Sequence, residues 1–284
     1  MTPIPSNRAA EVRRVAIFSG TGKTGRAIED AVSAAGHVPV PLGRKELNDP
    51  VAALRGCHAA YLMAPNLHSD ELGFVEMLLD ASRVADIERI VYHSVAAPYA
   101  PLMPHHLAKA ESEDRVRRSS LPFTIVQPCA YVDNLVPGLR GAPPTIKVAY
   151  SADAPFGLIG LRDLGEAAAR LLTTEDHLGA TLELGGPELV SIRDVARAAG
   201  EVLGAEVGLE VTNPADWAAA QDARVDSGID ARERAWLTAM FDYYDRYGLP
   251  CGSAGIPAIL GREARSLDEV LADELQISLG ESRL

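Results

Sequence analysis

Three glycines, Gly20, Gly22 and Gly25, and the polar residues between them are the part of this sequence best suited to holding a phosphate. They lie in Ser19-Gly-Thr-Gly-Lys-Thr-Gly25, directly after the apolar run Arg14-Val-Ala-Ile-Phe18. Gly22-Lys23-Thr24 looks like the close of a nucleoside-triphosphate loop. Such a loop needs a glycine five positions earlier, where this chain has Ile17 inside the apolar run. The spacing Gly20-x-Gly22-x-x-Gly25 matches a dinucleotide loop instead. Gly20 would permit the tight turn, Gly22 the approach of backbone to a pyrophosphate, and Gly25 the close packing of helix on strand. Thr21, Lys23 and Thr24 complete the candidate site, at a helix N-terminus whose N–H groups and dipole favour an anion. The bland alternative is a glycine turn that binds nothing.

The next informative position is the tip of the second strand, about 20 residues on, where an NAD site carries an acid for the ribose 2′-hydroxyl. Here the chain reads Leu42-Gly43-Arg44-Lys45, two cations and no acid. A 2′-phosphate carries close to two negative charges, and an arginine meets it with charge-assisted hydrogen bonds. Arg44 and Lys45 therefore point to NADP(H) as cofactor, against the alternative of a merely solvated loop.

The elements that must position these residues alternate in type. Strands are expected at 14–18, 37–42, 59–63, 89–93, 123–127 and 181–184, with helical periodicity over 24–35, 69–85, 109–118 and 164–172. That order predicts an α/β fold, a doubly wound parallel Rossmann sheet. After Gly185-Gly-Pro-Glu188 the character changes: Ser191-Ile-Arg-Asp194 is a capping box, and the remainder reads as mainly helical. The expected organisation is a loose tail over 1–12, a dinucleotide-binding domain over 13–187 and a smaller, mostly helical substrate lobe over 188–284.

Composition bounds the partners. The chain has 284 residues, enough for one large domain or two modest ones, and a formal net charge of −12. No basic stripe offsets that charge: Arg115, Arg117 and Arg118 follow Glu111, Glu113 and Asp114, a solvated helix face and not a nucleic-acid surface. No apolar run reaches the roughly 20 residues of a membrane span, and the first dozen residues lack a signal-peptide core. Cys57, Cys129 and Cys251 are odd in number and far apart, which suits a reducing cytoplasm.

The sequence resembles the NmrA-like group of atypical short-chain dehydrogenase/reductases over about residues 14–210. The stretches that carry the likeness include VAIFSGTGKTGRAI, RIVYHSVAAP, HHLAKAESEDRVRRSSLPFTIVQPCAYVDNL, RDLGEAAARLL and LELGGPELVSIRDVARA. Ser19 stands where the group's first loop glycine would fall. The resemblance implies a dinucleotide-binding main lobe and a second lobe closing a substrate cleft. It covers NADP(H)-dependent reductases, quinone reductases, tailoring enzymes of aromatic natural products, and non-catalytic redox sensors. Typical short-chain reductases use a serine at the end of the fourth strand and a Tyr-x-x-x-Lys helix. Ser94 falls at the first position and Lys109 at the lysine, but the tyrosine position is His105, followed by His106. An imidazole near its reference pKa of about 6.5 could protonate a developing alkoxide, so His105, then His106, is the expected acid/base. Lys109 would bind the nicotinamide ribose, as the resemblance suggests, and Ser94 a substrate oxygen. No metal site is expected, because His93, His105 and His106 lack the i, i+4 spacing with a nearby acid.

Two stretches are expected to wall the cleft. Tyr131 and Asn134 follow the fifth strand, where open α/β sheets place ligands. The segment 231–247 carries Trp236, Met240 and Tyr244 on a helix rich in aromatics, suited to core packing, a flat aromatic ligand or a homodimer contact. The leading expectation is an NADP(H)-dependent oxidoreductase acting on an aromatic or quinonoid small molecule, in the tailoring of a secondary metabolite. The alternatives are an NADP-sensing regulator that binds a protein partner, or an enzyme that couples or rearranges aromatic units.

Overall fold

The computed structural model describes residues 12–224 and 228–277; the tail expected over 1–12 lies outside these except for Val12. The chain runs β1 (Arg14–Phe18), α1 (Lys23–Ala34), β2 (Val38–Leu42), α2 (Pro50–Leu54), β3 (Ala59–Leu62), α3 (Glu71–Val84), β4 (Arg89–His93), α4 (Pro104–Arg118) and β5 (Phe123–Pro128). There follow α5 (Val136–Leu139), β6 (Thr145–Val148), α6 (Leu161–Thr173), β7 (Thr181–Leu184), α7 (Ile192–Leu203), β8 (Gly208–Val211), α8 (Pro214–Asp222), α9 (Ala231–Tyr247), α10 (Gly255–Leu260) and α11 (Leu267–Leu275). Six strands form one parallel sheet in the order β2-β1-β3-β4-β5-β7, so the chain steps outward from β1 in both directions. This is the doubly wound Rossmann arrangement.

Alternation along each strand supplies two apolar layers. Val15 and Ile17 of β1, Tyr61 of β3 and Val126 of β5 share one cluster with Ile28 and Val32 of α1 and the apolar face of α6. Ala16 and Phe18, with Leu62, Tyr92 and Ile125, point the other way and pack with Phe74, Val75 and Leu78 of α3 and Val116 of α4. Helices α1 and α6 meet closely because Gly165 sits against the Ala27 carbonyl, leaving no room for a Cβ.

A third apolar cluster buries Phe156, Ile192, Val195, Tyr244, Leu249 and Leu271 together with Ala96, Ala100 and Met103 from the segment after β4. The second lobe draws on residues before 188, since β6 pairs in parallel with β8 in a separate two-stranded sheet. Helix α9 starts at a capping box made by Asp230 and Glu233 and lies against α4. That contact brings the aromatic helix beside the residues expected to do chemistry. No helix among the described residues is long and apolar enough to cross a membrane.

Candidate functional site

The glycine loop closes because side chains are excluded from it. A Cβ at Gly20 would stand 2.7 Å from the Ile17 carbonyl and 2.8 Å from Pro41, and one at Gly25 would run into the backbone of Gly20. At Gly22 the nearest atom would be the Ser19 carbonyl at 3.4 Å, so the protein itself leaves that position open. Gly22 is also the N-cap of α1 and offers no side-chain cap, which leaves the first N–H groups of the helix facing outward. Ser19 takes the left-handed conformation that a glycine would favour, at φ 55°, and its hydroxyl donates to the Met63 carbonyl at 2.9 Å. Arg26 braces the turn through the Thr21 carbonyl at 2.5 Å, and Lys23 Nζ donates to Asn134 Oδ1 at 2.6 Å. Asn134 is thereby joined to the loop.

At the tip of β2, Arg44 and Lys45 are exposed, and among the described residues neither side chain enters a hydrogen bond or ion pair. The expectation of no acid there needs correcting. Glu46 lies on the following turn and folds its carboxylate back to accept the Gly43 N–H at 2.9 Å. Its carboxylate thus lies at the tip of β2, a placement set by the turn and not by strand register.

The residues after β4 and on α4 form a buried polar layer. Lys109 Nζ lies 2.5 Å from Glu71 Oε1, with side-chain exposures of 6% and 0%, and donates to the His93 carbonyl at 3.3 Å. The Tyr92 hydroxyl donates to the same Glu71 oxygen at 3.1 Å. Ser94 is committed elsewhere: its hydroxyl donates to Glu113 Oε1 at 2.5 Å, an oxygen that also accepts Gln127 Nε2 at 2.7 Å. A substrate oxygen would have to compete with a carboxylate for that proton, so Ser94 braces the end of β4 against α4.

Neither histidine has the imidazole expected of a proton donor near neutrality. Burial pushes His105 down to about 3, helped by the positive charge of Lys109, and pushes His106 down to about 4. His106 is fully buried, with Nδ1 3.3 Å from the Ala97 carbonyl and its ring edge-on to Tyr244 at 6.5 Å. His105 turns the other way and lies 6.0 Å from the Trp236 ring. The two rings leave α4 in different directions, and His105 is the one beside the partly exposed Trp236.

Helix α9 divides the aromatics expected to meet substrate. Tyr244 belongs to the third apolar cluster, edge-on to Phe156 at 5.4 Å and Tyr150 at 5.6 Å, because its position on the helix turns it inward. Met240 packs against that cluster, and Trp236 alone of the three reaches the His105 side of the cleft. Tyr131 sits at the carboxyl edge of the sheet. Its hydroxyl is 3.1 Å from His93 Nε2, while the Tyr61 hydroxyl is 2.5 Å from His93 Nδ1. Burial holds His93 down at about 3 and raises Tyr131, whose hydroxyl also bonds the Thr24 side chain.

The chain has the fold of a solved NADPH-dependent quinone oxidoreductase. That protein, from Escherichia coli and crystallised with NADPH, superposes with a TM-score of 0.74 at 17% identity, over 92% of this chain and 99% of its own. No family model matches the sequence. A (4-alkanoyl-5-oxo-2,5-dihydrofuran-3-yl)methyl phosphate reductase from Streptomyces griseus is 27% identical over 221 residues, covering 69% of this chain and 76% of that one. An NAD(P)H azoreductase from Xenophilus azovorans is 26% identical over 227 residues, covering 77% of this chain and 76% of that one.

Four residues in or beside the buried polar layer were not singled out from the sequence: Glu71, Glu113, His93 as a hydrogen-bonding group, and Arg232. Arg232 Nη2 donates to the Leu67 carbonyl at 2.9 Å and its guanidinium lies 4.6 Å from the Trp236 ring centre. The i, i+4 spacing of Arg232 and Trp236 was a legible signal, since both occupy one face of a helix already noticed for its aromatics. Nothing local marks the other three.

Proposed function

We propose that this chain is an NADP(H)-dependent oxidoreductase of the NmrA-like short-chain group that reduces an aromatic or quinonoid small molecule. The observation that carries the reading is the uncapped start of α1 above a loop that admits no side chain at Gly20 or Gly25. Backbone N–H groups there suit a pyrophosphate, and the unpaired Arg44 and Lys45 suit a 2′-phosphate. The NADPH-dependent and azo-reducing names among similar proteins support the same direction. When bound, the nicotinamide supplies the hydride. Tyr131, fixed by His93 and Thr24, would orient the ligand at the carboxyl edge of the sheet, while Trp236 and His105 would cover a flat acceptor and exclude water. With His105 neutral, the product oxygen or nitrogen takes its proton from solvent, which a quinone or azo acceptor allows. Work on a secondary metabolite is the role this reading favours, with cytoplasmic location.

The test is NADPH oxidation with a panel of quinones, azo dyes and aromatic ketones, beside titrations of NADPH and NADH. NADPH should bind more tightly. Arg44→Glu should remove that preference at a cost of about 1.5–3 kcal/mol, the value of a hydrogen bond to a charged group. Equal affinities for the two cofactors in the unaltered chain would defeat the Arg44 argument. A sensing protein without turnover is the second reading, favoured by the commitment of Ser94 to Glu113 and of Lys109 to Glu71. It becomes the better one if NADPH binds and no acceptor oxidises it.

A further inference from the structure

Among the described residues, the buried side-chain nitrogen and oxygen atoms with no hydrogen-bond partner are Glu71 Oε2, His105 Nδ1, His106 Nε2 and Arg232 Nη1. Two of these belong to side chains that meet on one ring. His105 lies 6.0 Å from the centre of Trp236 with its plane tilted by 33°, and Arg232 Cζ lies 4.6 Å from it. His105 is itself 8% exposed.

The other half of the Arg232 guanidinium is already fixed. Nη2 donates to the Leu67 carbonyl at 2.9 Å, tying the first turn of α9 to the loop after β3. The acids nearest to it, Asp230 and Glu233, stand 3.8 and 4.0 Å from that same Nη2. Nη1 is left with two N–H bonds, no acceptor and little water. Burying a donor unpaired costs about 1–3 kcal/mol, and more when it is charged. A guanidinium stays charged at any working pH, so the group that best relieves this cost is an anionic oxygen. His105 adds a second donor when its proton sits on Nδ1, and the partly exposed indole beside both is an apolar surface for a flat ring.

We propose that Arg232 and His105 form an oxyanion-holding subsite in the cleft, and that the physiological ligand is an aromatic compound bearing a carboxylate or similar oxyanion, its ring against Trp236. This rests on the reading of the cleft as a substrate site and narrows its substrate class. Arg232 is the specificity residue, and Leu67 holds it in place.

The test measures binding and not turnover, on the full chain with and without saturating NADPH. Titrations of 2-naphthoate, 2-naphthalenesulfonate and neutral 2-naphthamide are followed by calorimetry and by tryptophan fluorescence. The carboxylate should bind at least about tenfold more tightly than the amide, as a buried charge-assisted hydrogen bond requires. Preference for the sulfonate over the amide as well would mark a general oxyanion site; preference for 2-naphthoate alone would mark a carboxylate site. Arg232→Gln should abolish the preference while leaving amide affinity within about twofold, and Arg232→Lys should retain part of it. Equal binding of naphthoate and naphthamide, no binding of naphthoate, or a preference that survives Arg232→Gln would overturn the proposal. Should Arg232→Gln unseat α9 and lose every ligand, Arg232→Lys decides, because a retained charge must retain the preference. Turnover of neutral 1,4-naphthoquinone tests the reductase reading separately. Turnover without oxyanion preference overturns this subsite alone, whereas oxyanion preference with no NADPH oxidation by any neutral or anionic quinone, azo dye or ketone supports the subsite and removes the reductase.

Discussion

Replacing Lys109 separates two roles that the buried layer beneath the cleft allows it. Lys109 and Glu71 are 2.5 Å apart with 6% and 0% side-chain exposure, so their attraction is roughly 7 kcal/mol at an effective dielectric near 20. Desolvation of the two ions, several kcal/mol each, offsets most of that, and the pair adds little net stability over an apolar one. Breaking it is another matter. Lys109→Met would leave Glu71 buried with one oxygen held by Tyr92 and the other, Oε2, already without a partner. Loss of one partner from such a pair costs about 3–5 kcal/mol. Glu71→Gln should cost a similar amount, because Lys109 would keep only the His93 carbonyl at 3.3 Å. The double variant leaves no stranded charge and should fall short of the summed loss by about 2 kcal/mol or more. Urea unfolding followed by far-ultraviolet circular dichroism gives the cycle, and NADPH titration of the same variants gives the second role. If Lys109 also holds the cofactor ribose, Lys109→Met and the double variant lose NADPH affinity while Glu71→Gln keeps most of it. Stability losses that add to within about 0.5 kcal/mol would refute the paired description outright.

The loop and the histidines give two further tests. Gly25→Ala, whose Cβ would meet the Gly20 backbone, should weaken NADPH binding and lower the melting temperature together; Gly22→Ala, whose Cβ would only touch the Ser19 carbonyl at 3.4 Å, should weaken NADPH while costing under about 1 kcal/mol of stability. Equal melting losses in the two variants would show that Gly22 is as enclosed as Gly25. His93 and His105 are held near 3 and His106 near 4 by burial, so the unfolded chain takes up protons first as pH falls below the ordinary value of about 6.5. Stability is therefore fully present above that value and is lost between it and the folded values, by about 1.4 kcal/mol per histidine at pH near 5.5. Urea midpoints near pH 7.5 and 5.5 measure the loss, which His106→Phe should reduce by its share. No loss across that window would mean that the rings are hydrated.

The parts legible in the sequence are those whose contacts are local. The strand, glycine loop and helix from Arg14 to Ala34 follow from spacing alone, because Gly20 and Gly25 touch each other across one turn. The helix over 231–247 follows from its aromatic-rich pattern, and 89–93 from the apolar run Ile90-Val-Tyr92. The two-stranded pairing of β6 with β8 was not legible, since its strands are four residues each and no local pattern links them across α6, β7 and α7. The same reason hid the partners of the candidate site. Ser94 and Lys109 were visible as motif positions, but Glu113 and Glu71, which hold them, differ from any surface acid only once α3 and α4 cover the sheet. Spacing named the donors, and topology chose the acceptors. The low values of His105 and His106 were hidden for a related reason: a reference pKa describes a solvated ring, and the fold buries both.

His93 shows what the tertiary arrangement adds. Adjacent strands β3 and β4 put Tyr61 beside Nδ1, and the turn after β5 brings Tyr131 to Nε2. A neutral imidazole has one N–H and one lone pair, so one phenol donates to the ring and the other accepts from it. Burial holds both phenols above and His93 below their ordinary ranges, so none of the three carries charge near neutrality. A charged group in this place would add to or oppose the field at the N-terminus of α1. A neutral chain fixes the Tyr131 hydroxyl against Thr24 of the glycine loop by hydrogen bonds alone. On the proposed function, the sheet edge would orient the ligand through neutral groups, and the charge that binds it would be left to the loop, Arg44 and Lys45.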